Sequence, residues 1–115
     1  MMYTALPRAR GMKRSQNLME GDTLELHCEP WGWPKPTVSW RREAAPLNFS
    51  DPRITADNDT NKLIIESVVL EDRDYYHCIV SSRFNDTNYE DEEEVTLVRV
   101  KGMFLRHRKL VTATT

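Results

Sequence analysis

Asp72-Arg73-Asp74-Tyr75-Tyr76-His77-Cys78 is the stretch whose reading decides the fold. The polar run at residues 71–74 reads as a corner, and residues 75–82 read as the strand that leaves it. Alternation puts Tyr76, Cys78 and Val80 on one face of that strand. The pattern repeats upstream. Thr23-Leu24-Glu25-Leu26-His27-Cys28 alternates strictly, with Leu24, Leu26 and Cys28 on one face. Thr37-Val38-Ser39-Trp40-Arg41 pairs Val38 with Trp40 on one face, after a loop fixed by Pro34 and Pro36. Residues 46–52 are punctuated by Pro, Asn, Ser and Asp and read as a connection or weak edge strand. Asp57-Asn58-Asp59-Thr60-Asn61 is a turn by composition. Residues 62–67 form the next strand, with Leu63 and Ile65 inward, and Val68 follows. Downstream, residues 85–88 turn and residues 93–100 close the set. Short segments between turns, with no helical period, predict an all-β chain.

Four residues stand out by type and interval. Cys28 and Cys78 are 50 positions apart, Trp40 is 12 positions after the first, and Tyr76 is two before the second. The stretches around them resemble those of immunoglobulin domains of the I-set. Residues 20–28 look like the second strand of such a domain. Gly32-Trp33-Pro34-Lys35-Pro36-Thr37-Val38-Ser39-Trp40 matches the set's Gly-x-Pro-x-Pro-x-Val-x-Trp pattern. Leu63, Ile65 and Val68 fit its Leu-x-Ile-x-x-Val strand. Residues 72–78 fit Asp-x-[Gly/Ala]-x-Tyr-x-Cys, with one departure, Asp74.

The resemblance covers about residues 20–100. It implies an immunoglobulin-like β-sandwich of two antiparallel sheets with one inter-sheet disulfide, Cys28 to Cys78. Trp40 would pack on that disulfide, and Tyr76 would make the corner hydrogen bond. Leu26, Leu63 and Ile65 would join them in the core. Closing a loop of this size contributes about 4 kcal/mol in the chain-entropy model. Arg53 would pair with Asp72 across the sandwich end. A narrower likeness lies in Glu94-Val95-Thr96-Leu97-Val98-Arg99-Val100-Lys101, which resembles the close of the membrane-proximal domain in the basigin and neuroplastin group.

Composition limits the function. The 115 residues fit one domain, and the net charge of −2 argues against a nucleic-acid partner. Two cysteines exclude a multi-cysteine zinc or knottin scaffold. No segment is apolar for the roughly 20 residues a membrane helix needs. Pro7, Arg8 and Arg10 interrupt the mildly apolar start before a signal-peptide h-region forms. That conflicts with an oxidising compartment, so the expectation is either a fragment or a variant without its leader.

Other residues carry two readings each. Asn48-Phe49-Ser50, Asn58-Asp59-Thr60 and Asn85-Asp86-Thr87 are glycosylation sequons, all in expected turns or loops. They are chance turn residues, or Asn48, Asn58 and Asn85 mark a secreted or cell-surface chain. His27 and His77 each precede a cysteine, but alternation sends them outward on opposite sheets, so surface histidines are expected and not a metal site. Trp31 and Trp33 are expected in the loop between the first two core strands. Either they pack on Pro34, Pro36 or the N-terminal strand, or they form a partner contact of the kind tryptophan favours. Asp86, Glu90, Asp91, Glu92, Glu93 and Glu94 cluster around the last hairpin. They are solvated surface, or they steer a basic partner. Arg8, Arg10, Lys13 and Arg14 lie near one end, with Arg106, Arg108 and Lys109 near the other. Ser81 and Ser82 have no Gly-x-Ser-x-Gly elbow, the carboxylates form a run and not a spaced pair, and no Gly-rich phosphate loop exists.

The expected layout is a disordered tail at 1–11, the domain at 12–101 and a basic flexible tail at 102–115. The resemblance implies a cell-surface or secreted adhesion or recognition module, probed by protein partners, homophilic or heterophilic, within a larger receptor-like protein. No catalysis, cofactor, metal or nucleic acid is expected, and a membrane only through a segment outside this chain. Two alternatives stand. One is a spacer domain of an intracellular muscle-type protein, whose cysteines would be reduced. The other is a basigin-like ancillary subunit that escorts a membrane transporter.

Overall fold

The computed structural model describes residues 5–84, 87–88 and 91–102. In chain order the strands are β1 Ala5–Arg10, β2 Ser15–Met19, β3 Leu24–His27, β4 Glu29–Trp33, β5 Thr37–Arg42 and β6 Ile54–Asp57. They continue as β7 Lys62–Ile65, β8 Asp74–Ser81, β9 Arg83–Phe84, β10 Thr87–Asn88 and β11 Glu92–Lys101. One 3₁₀ turn, Leu70–Asp72, leads into β8.

The strands form two facing layers. One sheet has the order β2-β11-β8-β5, and the other β3-β7-β6. Every pairing is antiparallel except β2 with β11. A ribbon of β1 and β4 continues the second layer past Cys28, and β9 pairs with β10. The alternation explains the layers. Leu24 and Leu26 point inward from β3 and meet Leu63 and Ile65 of β7 in register, and all four are buried. Tyr76, Val98 and Val100 face them from the other sheet, also buried. A second cluster holds Cys28, Cys78 and Val80, with Val38 and Ala9 packed on it. Trp40 and Met12 touch both clusters and join them. Trp40 is half-buried, lying opposite Cys78 in the β5–β8 ladder.

Several expectations change here. Residues 1–11 were expected to be a disordered tail, yet β1 occupies Ala5–Arg10. The cause is a ladder on β4 together with an inward face: Pro7 is fully buried and Ala9 packs on the disulfide cluster. Pro7 breaks period-two reading from sequence, because it cannot donate to a ladder. It sits where the register shifts between Ala5 and Arg8, an irregularity that tolerates proline. Gly11, at φ +97°, then turns the chain from the ribbon toward β2 in the other sheet.

The stretch with Trp31 and Trp33, expected to be loop, is strand β4. Residues 46–52 are connection without a strand, but β6 follows at once and went unrecognised. It is only four residues long, and Ile54 alone of them is fully inward. His77 points outward as expected but is not a surface histidine. At 8% exposure it is covered by Glu43, Arg41 and Glu93.

Candidate functional site

The β1–β4 ribbon has two unlike faces. Pro7 and Ala9 go inward. Leu6, Trp31 and Trp33 go outward, at 64%, 54% and 56% exposure. Arg8 and Arg10 share that outward face, with Arg8 opposite Trp31 in the ladder. The Arg10 guanidinium lies 5.3 Å from the centroid of the Trp31 ring, a cation–π distance. The two tryptophans are two positions apart on one strand, so their rings fall on the same side. Neither of the two packing partners expected in the loop, Pro34 and Pro36, hides them from solvent. The inward alternation of Pro30 and Gly32 keeps the ribbon close to the core and leaves both indoles outside.

Glu29, exposed and opposite Arg10 in the ladder, adds a carboxylate to the ribbon's outward face. On the β2-β11-β8-β5 sheet a groove of about 610 Å³ is lined by Tyr75, Leu97, Glu43, Asp74, Arg73 and Arg99 among others. Its charges are of both signs. Beside it the His77 Nε2 lies 2.6 Å from a Glu43 carboxylate oxygen, and Arg41 reaches both Glu43 and Glu93.

The structural residues fall into place around these surfaces. Cys28 and Cys78 are joined by a disulfide, with Cα atoms 6.4 Å apart. The Tyr76 hydroxyl donates to the Asp72 carbonyl at 2.6 Å, and burial pushes its phenol up to about 12. Arg53 donates to Asp72 at 2.9 Å and to Asp51 at 3.0 Å. These two carboxylates raise the Arg53 guanidinium further above its ordinary value. Arg53 also donates to the Ser67 carbonyl at 3.0 Å, so it ties the loop before β6 to the loop after β7. Asn48 and Asn58 are exposed in turns. Asn85 lies outside the described residues, as do Asp86 and Glu90 of the acidic run and the basic residues 106–109. His27 is exposed on β3, on the sheet opposite the one that carries His77.

Asp74, the departure from the family pattern, has a local cause. It accepts from Arg42 Nε at 2.9 Å, from the Ala44 amide at 3.0 Å and from the Tyr75 amide at 2.7 Å. Burial alone would raise this carboxyl. The three donors outweigh it and hold the carboxyl below its ordinary value.

The I-set immunoglobulin domain model matches residues 7–97. The chain belongs to the immunoglobulin I-set family. Its match begins inside β1, which agrees with a domain that includes the ribbon. Among curated relatives, this I-set domain is 34% identical over 96 residues to protein amalgam of Drosophila melanogaster, across 84% of this chain and 26% of amalgam. It is 31% identical over 80 residues to the muscle M-line assembly protein unc-89 of Caenorhabditis elegans, across 69% of this chain and 1% of that protein. Among solved structures, the insect immune protein hemolin aligns with a TM-score of 0.67 at 26% identity, across 83% of this chain and 22% of that one. The I-set domain thus spans about a quarter or less of these relatives.

Sequence reasoning missed Leu6, Arg8 and Arg10 as members of one face. A usable signal exists in Pro7-Arg8-Ala9-Arg10, where apolar and polar residues alternate once Pro7 is counted as inward; Leu6, apolar on the outward face, does not fit it. Proline inside a strand pattern argues against the strand, and that rule prevailed.

Proposed function

We propose that this I-set domain is a recognition module, extracellular or at a cell surface, that acts by protein–protein contact within a larger receptor-like protein. The observation that carries this is the outward ribbon face, where Trp31 and Trp33 stand exposed beside Leu6. Large apolar side chains gathered on one face of a soluble domain mark contact surfaces. The disulfide suits an oxidising compartment. The exposed turns at Asn48 and Asn58 suit glycan attachment, since a glycan needs an accessible asparagine. The relatives amalgam and hemolin support a recognition role without naming a partner.

The test uses the full chain fused to an Fc, made in a secretory host. Binding to cells is expected, and Trp33→Ser is expected to reduce it by about tenfold or more. Unchanged binding would remove the tryptophans from the contact. Mass spectrometry of the same protein is expected to find glycan on Asn48 or Asn58, and bare asparagines at every sequon would count against a secreted chain.

A second reading has its own support in the likeness to unc-89, a muscle protein. In that setting the domain is a spacer with reduced cysteines. The basigin-like escort role rests on the close of β11 and requires a membrane helix encoded downstream. Among the described residues no helix is long and apolar enough to cross a membrane.

A further inference from the structure

The groove on the β2-β11-β8-β5 sheet lies apart from the ribbon. The start of β8 lines it, whereas β4 leads toward Thr37, which pairs with Ser81 at the end of β8. The floor of the groove is apolar. Leu97 lies opposite Tyr75 in the β8–β11 ladder, and both sit on the outward side of the sheet. Tyr75 is 49% exposed, although it is a large apolar side chain. Outward positions alternate along β11, so Leu97, Arg99 and Lys101 form one row. Asn17, opposite Arg99 on β2, borders that row, and Arg73, just before β8, completes the rim. At about 610 Å³ the space suits one small molecule.

Both signs of charge line the groove, but they are matched differently. Its carboxylates have counter-charges outside the lining: Arg42 meets Asp74 at 2.9 Å, and Arg41 meets Glu43 at 3.5 Å. Glu43 also holds His77. The three lining cations, Arg73, Arg99 and Lys101, form no ion pair among the described residues. Asp72, beside Arg73 in sequence, is taken up by Arg53 and the Val69 amide. Glu20 and Glu71 are outside the lining. Other surface cations also lack ion pairs. These three differ because they border one apolar concavity whose own carboxylates are already engaged. Arginine offers forked donors that fit a carboxylate or a sulfonate. Charges of one sign around a low-dielectric cleft also concentrate the opposite ion.

We propose that the groove binds a small amphipathic acid. Its apolar body rests on Tyr75 and Leu97, and its anionic group lies between Arg73, Arg99 and Lys101. A neutral apolar molecule would leave the cations unmatched, and a bare anion would leave the floor in water. The site is separate from the ribbon contact and does not depend on it.

Fluorescence titration of the full chain with anilinonaphthalene sulfonate tests it, since that molecule joins aromatic rings to one sulfonate. Saturable one-to-one binding is expected, with a thermal midpoint that rises with ligand concentration. Phenylnaphthylamine, the same rings without the sulfonate, should bind about tenfold more weakly or worse. Dodecanoate should displace the sulfonate, and inorganic sulfate should not. Arg99→Glu/Lys101→Glu is expected to lose at least about tenfold in affinity while its own midpoint, without ligand, stays unchanged. Tyr75→Ser should weaken binding through the floor, and Trp33→Ser should leave it as it was. Absence of saturable binding overturns the proposal, as does equal binding of the uncharged rings or full affinity in the charge-reversed variant. Loss of binding in Trp33→Ser overturns it too, because the rings then sit on the ribbon. Displacement by a polyglutamate peptide but not by dodecanoate overturns it and assigns the groove to an acidic polypeptide.

Discussion

Asp74 carries the clearest consequence at the scale of one residue. Its carboxylate is only 4% exposed and serves three donors, two of them from the end of β5 and the bend beyond it. Asp74→Ala leaves Arg42 and the Ala44 amide without their acceptor. We expect a loss of about 2–3 kcal/mol at neutral pH, measured by urea denaturation. The carboxyl is held below its ordinary value in the folded state. Its contribution is therefore complete above the unfolded value of about 4 and lost as pH falls through the folded one. The gap between wild type and variant should narrow in that acid range, and a constant gap would refute the linkage. Tyr76 works in the opposite direction. Its phenol is pushed up to about 12 by burial. Its contribution is complete below about pH 10 and declines as pH rises from there toward 12. Tyr76→Phe removes the donor to the Asp72 carbonyl and should cost about 1–2 kcal/mol at pH 7. The sequence revealed Tyr76 through its interval to Cys78. It did not reveal the role of Asp74, because Arg42 and Ala44 lie about 30 residues upstream and only the β5–β8 ladder brings them near.

At the scale of the element, strands that alternate cleanly were legible and the ribbon was not. Leu24–His27 sends its apolar residues to one side without interruption, and β8 does so with Tyr76, Cys78 and Val80, so both could be read from sequence. β1 contains Pro7, and β4 contains Pro30 and Gly32, residues that usually mark turns. Tertiary pairing overrides those preferences: each strand has its ladder from the other, and the inward side chains cover the disulfide cluster. The exposed face of the candidate site was hidden for the same reason, since a segment read as loop has no faces. A deletion separates the two descriptions. Removing residues 1–10 strips Pro7 and Ala9 from Cys28, Cys78 and Val80. It should lower the thermal midpoint by roughly 10 °C in calorimetry, given about 2 kcal/mol of lost burial. Truncation of a disordered tail would leave the midpoint where it was.

The whole molecule is two thin layers whose stability depends on what spans them. Two links do so. The Tyr76 side chain fills the centre from one sheet, and the disulfide ties β8 to the second layer at Cys28. The cysteines are separated by 50 residues, so opening the bond frees a long loop in the unfolded chain. The entropy model puts that at about 4 kcal/mol, a large share of what a domain of this size holds. Both sulfurs are buried against Val80, Val38 and Trp40, so a reductant reaches them only when the domain opens. Two measurements on the same sample follow. Thiol titration in denaturant should find no free thiol in protein from a secretory host. Reduction should then lower stability to urea by about 4 kcal/mol without changing the native circular dichroism at low temperature. Two titratable thiols in protein isolated from its natural source would instead place the domain in a reducing compartment. The buried cluster would then hold the layers by packing alone, as the spacer reading requires.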